Sequence, residues 1–77
     1  MALSQAVKAS INAEMTRQGI SQRRLARELG LSQQYVWRRV SDDPKADKEF
    51  TPSELERVAQ VLGVSVTKLL RTAAANA

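Results

Sequence analysis

The chain has three glycines, and each opens the same kind of tripeptide: Gly19-Ile20-Ser21, Gly30-Leu31-Ser32 and Gly63-Val64-Ser65. Glycine adopts the left-handed backbone found just past a helix end, a conformation that a Cβ disfavours. Serine opens the next helix by accepting a hydrogen bond from one of its free backbone N–H groups. The apolar residue between them packs against both helices and fixes the angle at which they cross. Stop, anchor and start are thus encoded in three residues. Repetition of the motif predicts one short helix between Ser21 and Gly30, another after Ser32, and a further boundary at Gly63. Two short helices joined by so tight a turn have the plan of a helix-turn-helix.

The apolar spacing supports helices elsewhere. Leu3, Val7, Ile11 and Met15 recur every fourth residue, which predicts a first helix over about 3–18. Leu25, Ala26 and Leu29 face inward from the second helix, and Val36 and Val40 from the third. Residues 41–50 read as a polar loop broken by Pro44, with Phe50 returning to the core. Thr51-Pro52-Ser53-Glu54 combines an N-cap threonine, a proline at the first helical position and a capping-box glutamate, so a fourth helix starts there. Leu55, Val58, Ala59 and Leu62 form its buried stripe, and Val66, Leu69 and Leu70 are available for burial on a fifth helix. Thr72 to Ala77 carries no cap or anchor and is expected to be disordered. No segment has a convincing strand period. The expected fold is all-α, a compact cluster of five helices in a single domain spanning 1–77, with the helix-turn-helix at about 21–40.

At 77 residues the chain makes one small domain, near the size at which a single core becomes marginal. It has no cysteine and no histidine, so neither a disulfide framework nor a zinc site is expected. Its apolar runs are too short to span a bilayer, and Ser10, Asn12 and Glu14 interrupt any signal-like core near the start. A cytoplasmic protein with no membrane association is the default expectation. No histidine base, cysteine nucleophile or grouped carboxylates point to catalysis. No enzyme activity, cofactor, metal or small-molecule ligand is expected.

The net charge is +4, and its distribution says more than its size. Residues 22–40 hold five arginines (Arg23, Arg24, Arg27, Arg38 and Arg39) against one acid, Glu28, while most other acids fall within 42–56. A lopsided field of this kind suits a polyanion, although a charged stretch alone is also what any solvated helix surface shows. The third helix adds the deciding context. At 100° per residue, Gln34 and Arg38 point away from Val36 and Val40, with Gln33 and Trp37 beside them. Glutamine pairs bidentately with adenine and arginine with guanine, and the major groove admits one helix. The first turn after the tight bend is where helix-turn-helix proteins place groups that read bases. Trp37 has two open readings: partial burial against the second helix or the loop, or packing on a thymine methyl or sugar edge. Arg23 and Arg24 read as phosphate contacts or as plain solvated charges, because the second helix normally crosses the DNA backbone.

Residues 20–41, ISQRRLARELGLSQQYVWRRVS, resemble the helix-turn-helix of lambdoid phage repressors and Cro proteins. The resemblance continues through Ser53-Glu54-Leu55 to Ala59 and through Leu62-Gly63-Val64-Ser65-Val66 to Leu69-Leu70, covering about residues 3–70. It implies base contacts for Gln33, Gln34 and Arg38. It also implies phosphate contacts for Gln22, Tyr35, Lys45 and Lys48, with Gln22 bracing the first residue of the recognition helix. Two departures stand out. Arg39 occupies a position that is usually aliphatic, so either Val40 takes over the burial or Arg39 lays its stem along the core edge. Ser41-Asp42-Asp43-Pro44 replaces the usual Asn-Gly stop.

The expected function is sequence-specific binding of double-stranded DNA, with repression of transcription by a homodimer on a palindromic operator in a bacterial cell. With no separate dimerisation domain after the fifth helix, the chain looks Cro-like or like the DNA-binding part of a longer repressor. An antitoxin of a toxin–antitoxin pair, a recombinase targeting domain and a protein-interaction module using Trp37 and Tyr35 are the competing expectations.

Overall fold

The computed structural model describes residues 3–76, with side-chain surroundings for 5–72. Among them are five helices and no strand: α1 (Leu3–Gln18), α2 (Gln22–Leu29), α3 (Gln33–Val40), α4 (Pro52–Leu62) and α5 (Val66–Asn76). The three glycines close helices as their tripeptides require, at φ of 68°, 70° and 68° for Gly19, Gly30 and Gly63. At Gly30 the turn is a paired one: Gly30 N–H donates to Arg27 O at 3.2 Å and Leu31 N–H to Ala26 O at 2.9 Å. Gly19-Ile20 and Gly63-Val64 repeat this double bond, which satisfies carbonyls that the helix leaves free. Ser21, Ser32 and Ser65 then accept from the N–H groups of Arg24, Tyr35 and Lys68 at 3.0, 3.1 and 3.0 Å. Ile20, Leu31 and Val64 are partly buried against the core, as anchors between successive helices should be.

The core is one cluster drawn from all five helices and the loop. Ile11, Leu25, Leu29, Val36, Val40, Val58 and Leu69 are its largest fully enclosed side chains. Phe50 returns to it from the 41–50 loop. The packing corrects one expectation from the sequence and settles another that was open. Leu55 is only half-buried, because it lies at an open groove against α1 and α5 instead of under the core. On α5 Leu69 is enclosed, Val66 is half-buried and Leu70 is exposed. Helix α5 runs on to Asn76 through three alanines, the best helix formers. The side chain of Leu3, expected on the inward face of α1, lies outside the described side chains.

Polar groups tie α1 to its neighbours. Ser10 Oγ donates to Leu69 O at 3.2 Å. Lys8 is buried and its ammonium donates to Ala46 O, which ties α1 to the 41–50 loop. Glu14 accepts from Arg17 at 2.7 Å and from Gln18 at 3.1 Å, and lies 3.4 Å from the ammonium of Lys68 on α5. Hydrogen bonds from Arg17 and Gln18 pull the Glu14 carboxyl down to about 2 from an ordinary 4.5.

Two outcomes follow from this packing. A Cβ at Gly30 would meet nothing within 4 Å, so the cost of Gly30→Ala is purely conformational. We expect about 1–2 kcal/mol of lost stability by denaturant melting, and a smaller loss for Gly30→Asn, since asparagine tolerates the left-handed region. For Glu14, the folded carboxyl titrates below its unfolded value. The stability it contributes is therefore complete above about 4.5 and fades as pH falls toward 2. Thermal melts of Glu14→Gln should lie below the parent at neutral pH and converge with it near pH 2. A constant gap across that range would contradict the assignment.

Candidate nucleic-acid interface

Because Val36 and Val40 are fully enclosed, the opposite side of α3 must face out. Gln33 and Gln34 are exposed on its first turn, and Arg38 is exposed one turn on from Gln34. A shallow depression is lined by Gln34, Tyr35, Arg38, Arg39 and Lys48, together with Ser32 from the turn. Lys48 reaches this place because its backbone N–H donates to Arg38 O at 3.2 Å, folding the loop back along α3. The structure therefore gathers Gln34, Arg38 and Lys48, residues separated by up to 14 positions in the sequence, into one polar, cationic surface.

The other expected contacts divide. Arg23 and Arg24 are exposed on the first turn of α2. Lys45 is also exposed, but its backbone is engaged in a local turn, with its N–H donating to Asp43 Oδ1 at 2.8 Å, and it does not line the depression. Gln22 is half-buried and borders a different groove, with Asn12, Thr16, Ser41 and Asp42. No hydrogen bond joins it to Gln33 among the described residues, so the brace implied by the resemblance is not formed here. Trp37 is half-buried, which leaves part of the indole at the surface one turn from Gln33.

Tyr35 does more than stand at the edge of this face. Its hydroxyl donates to the Glu54 carboxylate on α4, and the Arg39 guanidinium lies 3.4 Å above its ring centroid. Arg39 also donates to Tyr35 O at 3.0 Å. Both alternatives for Arg39 and Val40 are thus realised: Val40 takes the burial, and Arg39 lays its stem against the edge of the fold. Glu54 completes the α4 capping box, accepting from Thr51 N–H at 2.9 Å while Thr51 Oγ1 accepts from Glu54 N–H at 3.1 Å. One carboxylate therefore caps α4 and braces α3. The capping box announced the first role in the sequence; nothing local announced the second.

The charges respond as this geometry requires. The Glu54 carboxylate raises the Tyr35 phenol above its ordinary 10.0, and burial adds to the shift. Burial pushes Glu54 up, but hydrogen bonds from Tyr35 and Thr51 outweigh it and hold the carboxyl below its usual value. Tyr35 is the only tyrosine in the chain, so an ultraviolet titration reads it alone. We expect its ionisation above the ordinary value, returning toward normal in Glu54→Gln. Because a raised phenol favours the fold only while protonated, the bond's contribution is present below pH 10 and fades as pH rises through the folded value.

With the tight turn, the buried side of α3 and its exposed glutamines in place, similarity to known proteins becomes specific. A family model for the helix-turn-helix matches residues 11–69, from the middle of α1 to Leu69. The chain belongs to the helix-turn-helix family HTH_3, the Cro/C1 type. As a member of HTH_3 it is a DNA-binding transcriptional regulator. It is similar to a crystal structure of the clp gene regulator ClgR from Corynebacterium glutamicum, with a TM-score of 0.83 at 28% identity, covering 99% of this chain and 77% of that one. A second ClgR structure from C. glutamicum gives a TM-score of 0.80 at 28% identity, covering 97% of this chain and 91% of that one. No curated protein matches the sequence at a significant level. Among the described residues, no helix is long and apolar enough to cross a membrane.

Proposed function

We propose that this HTH_3 domain is a sequence-specific repressor that inserts α3 into the major groove and occupies a palindromic operator as a dimer. The observation that carries the reading is the state of Gln33, Gln34 and Arg38. All three are exposed on the outward side of α3, and none of their side chains makes a hydrogen bond within the described structure. Their donors and acceptors are therefore free to meet base edges without first breaking an internal bond. Arg23, Arg24, Lys45 and Lys48 supply phosphate contacts, which provide most of the affinity and all of its salt dependence. Trp37 adds a base contact beside the reading face, Gln22 and Tyr35 add phosphate contacts, and the bond from Tyr35 to Glu54 holds the angle of α3.

One short helix reads only a few base pairs, so specificity on a genome calls for two. The domain measures 29 × 28 × 23 Å, and two copies side by side are commensurate with recognition helices about 34 Å apart, one turn of DNA. Exposed Leu70 on α5 and half-buried Val61 at the end of α4 offer the apolar surface for that pairing. Such a dimer is weak without DNA, because the apolar patch is small.

The experiment is a binding series on an operator selected from random duplexes and on an unrelated duplex. Gln34→Ala and Arg38→Ala should each cost about 1–3 kcal/mol on the selected site and relax preference at particular base pairs. Arg23→Ala and Lys48→Ala should weaken both duplexes alike and flatten the salt slope by about one unit. Sedimentation on half-sites and full sites should show two protomers on the palindrome, with affinity that depends on half-site spacing. Equal losses on both duplexes for every variant would refute the division into readers and holders. A single protomer binding the full site as tightly as two would refute the dimer.

A further inference from the structure

A second concavity, which shares Arg39 and Lys48 with the depression beside Gln34, lies between α1, the end of the 41–50 loop, and the facing surfaces of α4 and α5. Its volume is about 440 Å³, within the range of small-molecule sites. Val7, Phe50, Leu55 and Leu70 give it an apolar wall, and Leu55 and Leu70 owe their exposure to it. The only charged groups on the wall are Lys8, Arg39, Lys48 and Glu49, three cations to one acid. The cations are also under-used. Arg39 Nε is fully buried with no acceptor, and Lys8, though buried, donates only to Ala46 O. No carboxylate lies within 4.0 Å of any of the three among the described residues.

An apolar wall alone does not identify an occupant, but an apolar wall edged by three cations that lack a carboxylate partner among the described residues does. A buried guanidinium nitrogen without an acceptor costs free energy, and a carboxylate satisfies it with charge-assisted hydrogen bonds. Neutral apolar ligands leave those donors unpaired, and cations are repelled by them. Glu49 is exposed, so water screens its opposition to an anion more than the buried donors are screened. We infer that this groove binds a small amphipathic carboxylate, with its hydrocarbon against Val7, Phe50, Leu55 and Leu70 and its head group toward Arg39 and Lys48. The lining of the groove carries this inference, and Lys48 and Leu70 in it are shared with the proposed phosphate contact and dimer surface.

Octanoate and 1-octanol, titrated separately into the isotopically labelled protein and followed by amide NMR, test this. The two probes share a chain and differ in charge. Octanoate should saturate with shifts centred on Val7, Phe50 and Leu55, and bind about tenfold more tightly than the alcohol, the gain expected of one charge-assisted contact. Arg39→Met keeps the stem, removes the charge and should erase that preference while leaving octanol binding unchanged. Leu55→Lys, checked for folding by its amide spectrum, should weaken octanol binding and so separate the apolar wall from the head-group site. Equal affinity for the two probes in the parent protein, or octanoate shifts mapping elsewhere, would overturn the inference. So would shifts at the same residues that track protein concentration without ligand, since they would assign the groove to a second copy.

Discussion

The helices that carry the interface, α2 and α3, have eight residues each, too few for a helix to persist by itself in water, so the structure depends on how their ends are closed. Serine hydroxyls close the N-termini. The C-termini are closed from further away. The Arg57 guanidinium on α4 donates to Leu29 O, the last carbonyl of α2, and Asn12 Nδ2 on α1 donates to Val40 O, the last of α3. Gln18 Nε2 does the same for α4, reaching Leu62 O at 2.6 Å. Three helix ends thus receive a donor from another helix, and each bond doubles as a packing constraint. The glycine turns set where the helices stop. These side chains decide which neighbour each stop rests against.

The same closure explains how α3 holds its face outward while the side chains on that face stay free. Its angle is fixed from three sides: by Val36 and Val40 in the core, by Asn12 at its C-terminus, and by Tyr35 with Glu54 along its flank. None of these constraints engages Gln33, Gln34 or Arg38. A surface held by other residues, with its own donors and acceptors unspent, is preorganised for a partner. The replacement of an Asn-Gly stop by Ser41-Asp42-Asp43-Pro44 fits the same scheme. Asp43 accepts from Lys45 N–H at 2.8 Å and, through its carbonyl, from Ala46 N–H at 2.9 Å. That carboxylate builds a turn, and the turn sets up the return of Lys48 to the end of α3.

Glu14 and Glu54 show how differently acids act in a chain of net positive charge. Glu14 is a hub at the end of α1, joined to Arg17, Gln18 and Lys68, and its carboxyl is held well below the ordinary range by those partners. Glu54 is opposed by burial and stabilised by Tyr35 and Thr51, and there the hydrogen bonds prevail over the burial. Both are structural: Glu14 ties the end of α1 to α5, and Glu54 meets α3 along its Tyr35 flank.

By itself the sequence determined the helices, their boundaries and the outward side of α3. Those properties are local: a glycine's positive φ, a serine's cap, a proline and capping box at residues 51–54, and apolar residues at helical spacing act within a few positions along the chain. Gln33, Gln34 and Arg38 were legible for the same reason, since a helix period alone places them opposite Val36 and Val40. Only the tertiary structure decided that Lys48 belongs with Gln34 while Lys45 does not. It also decided that Gln22 faces α1, that Glu54 braces Tyr35, and that Leu55 and Leu70 border a groove instead of entering the core. Each of these depends on contacts between residues distant in sequence, governed by how far one helix lies from another, and no local signal encodes that distance. Lys8, Asn12, Gln18 and Arg57 make the point most plainly, because a polar residue on a helix surface looks the same in sequence whether it meets water or the end of another helix.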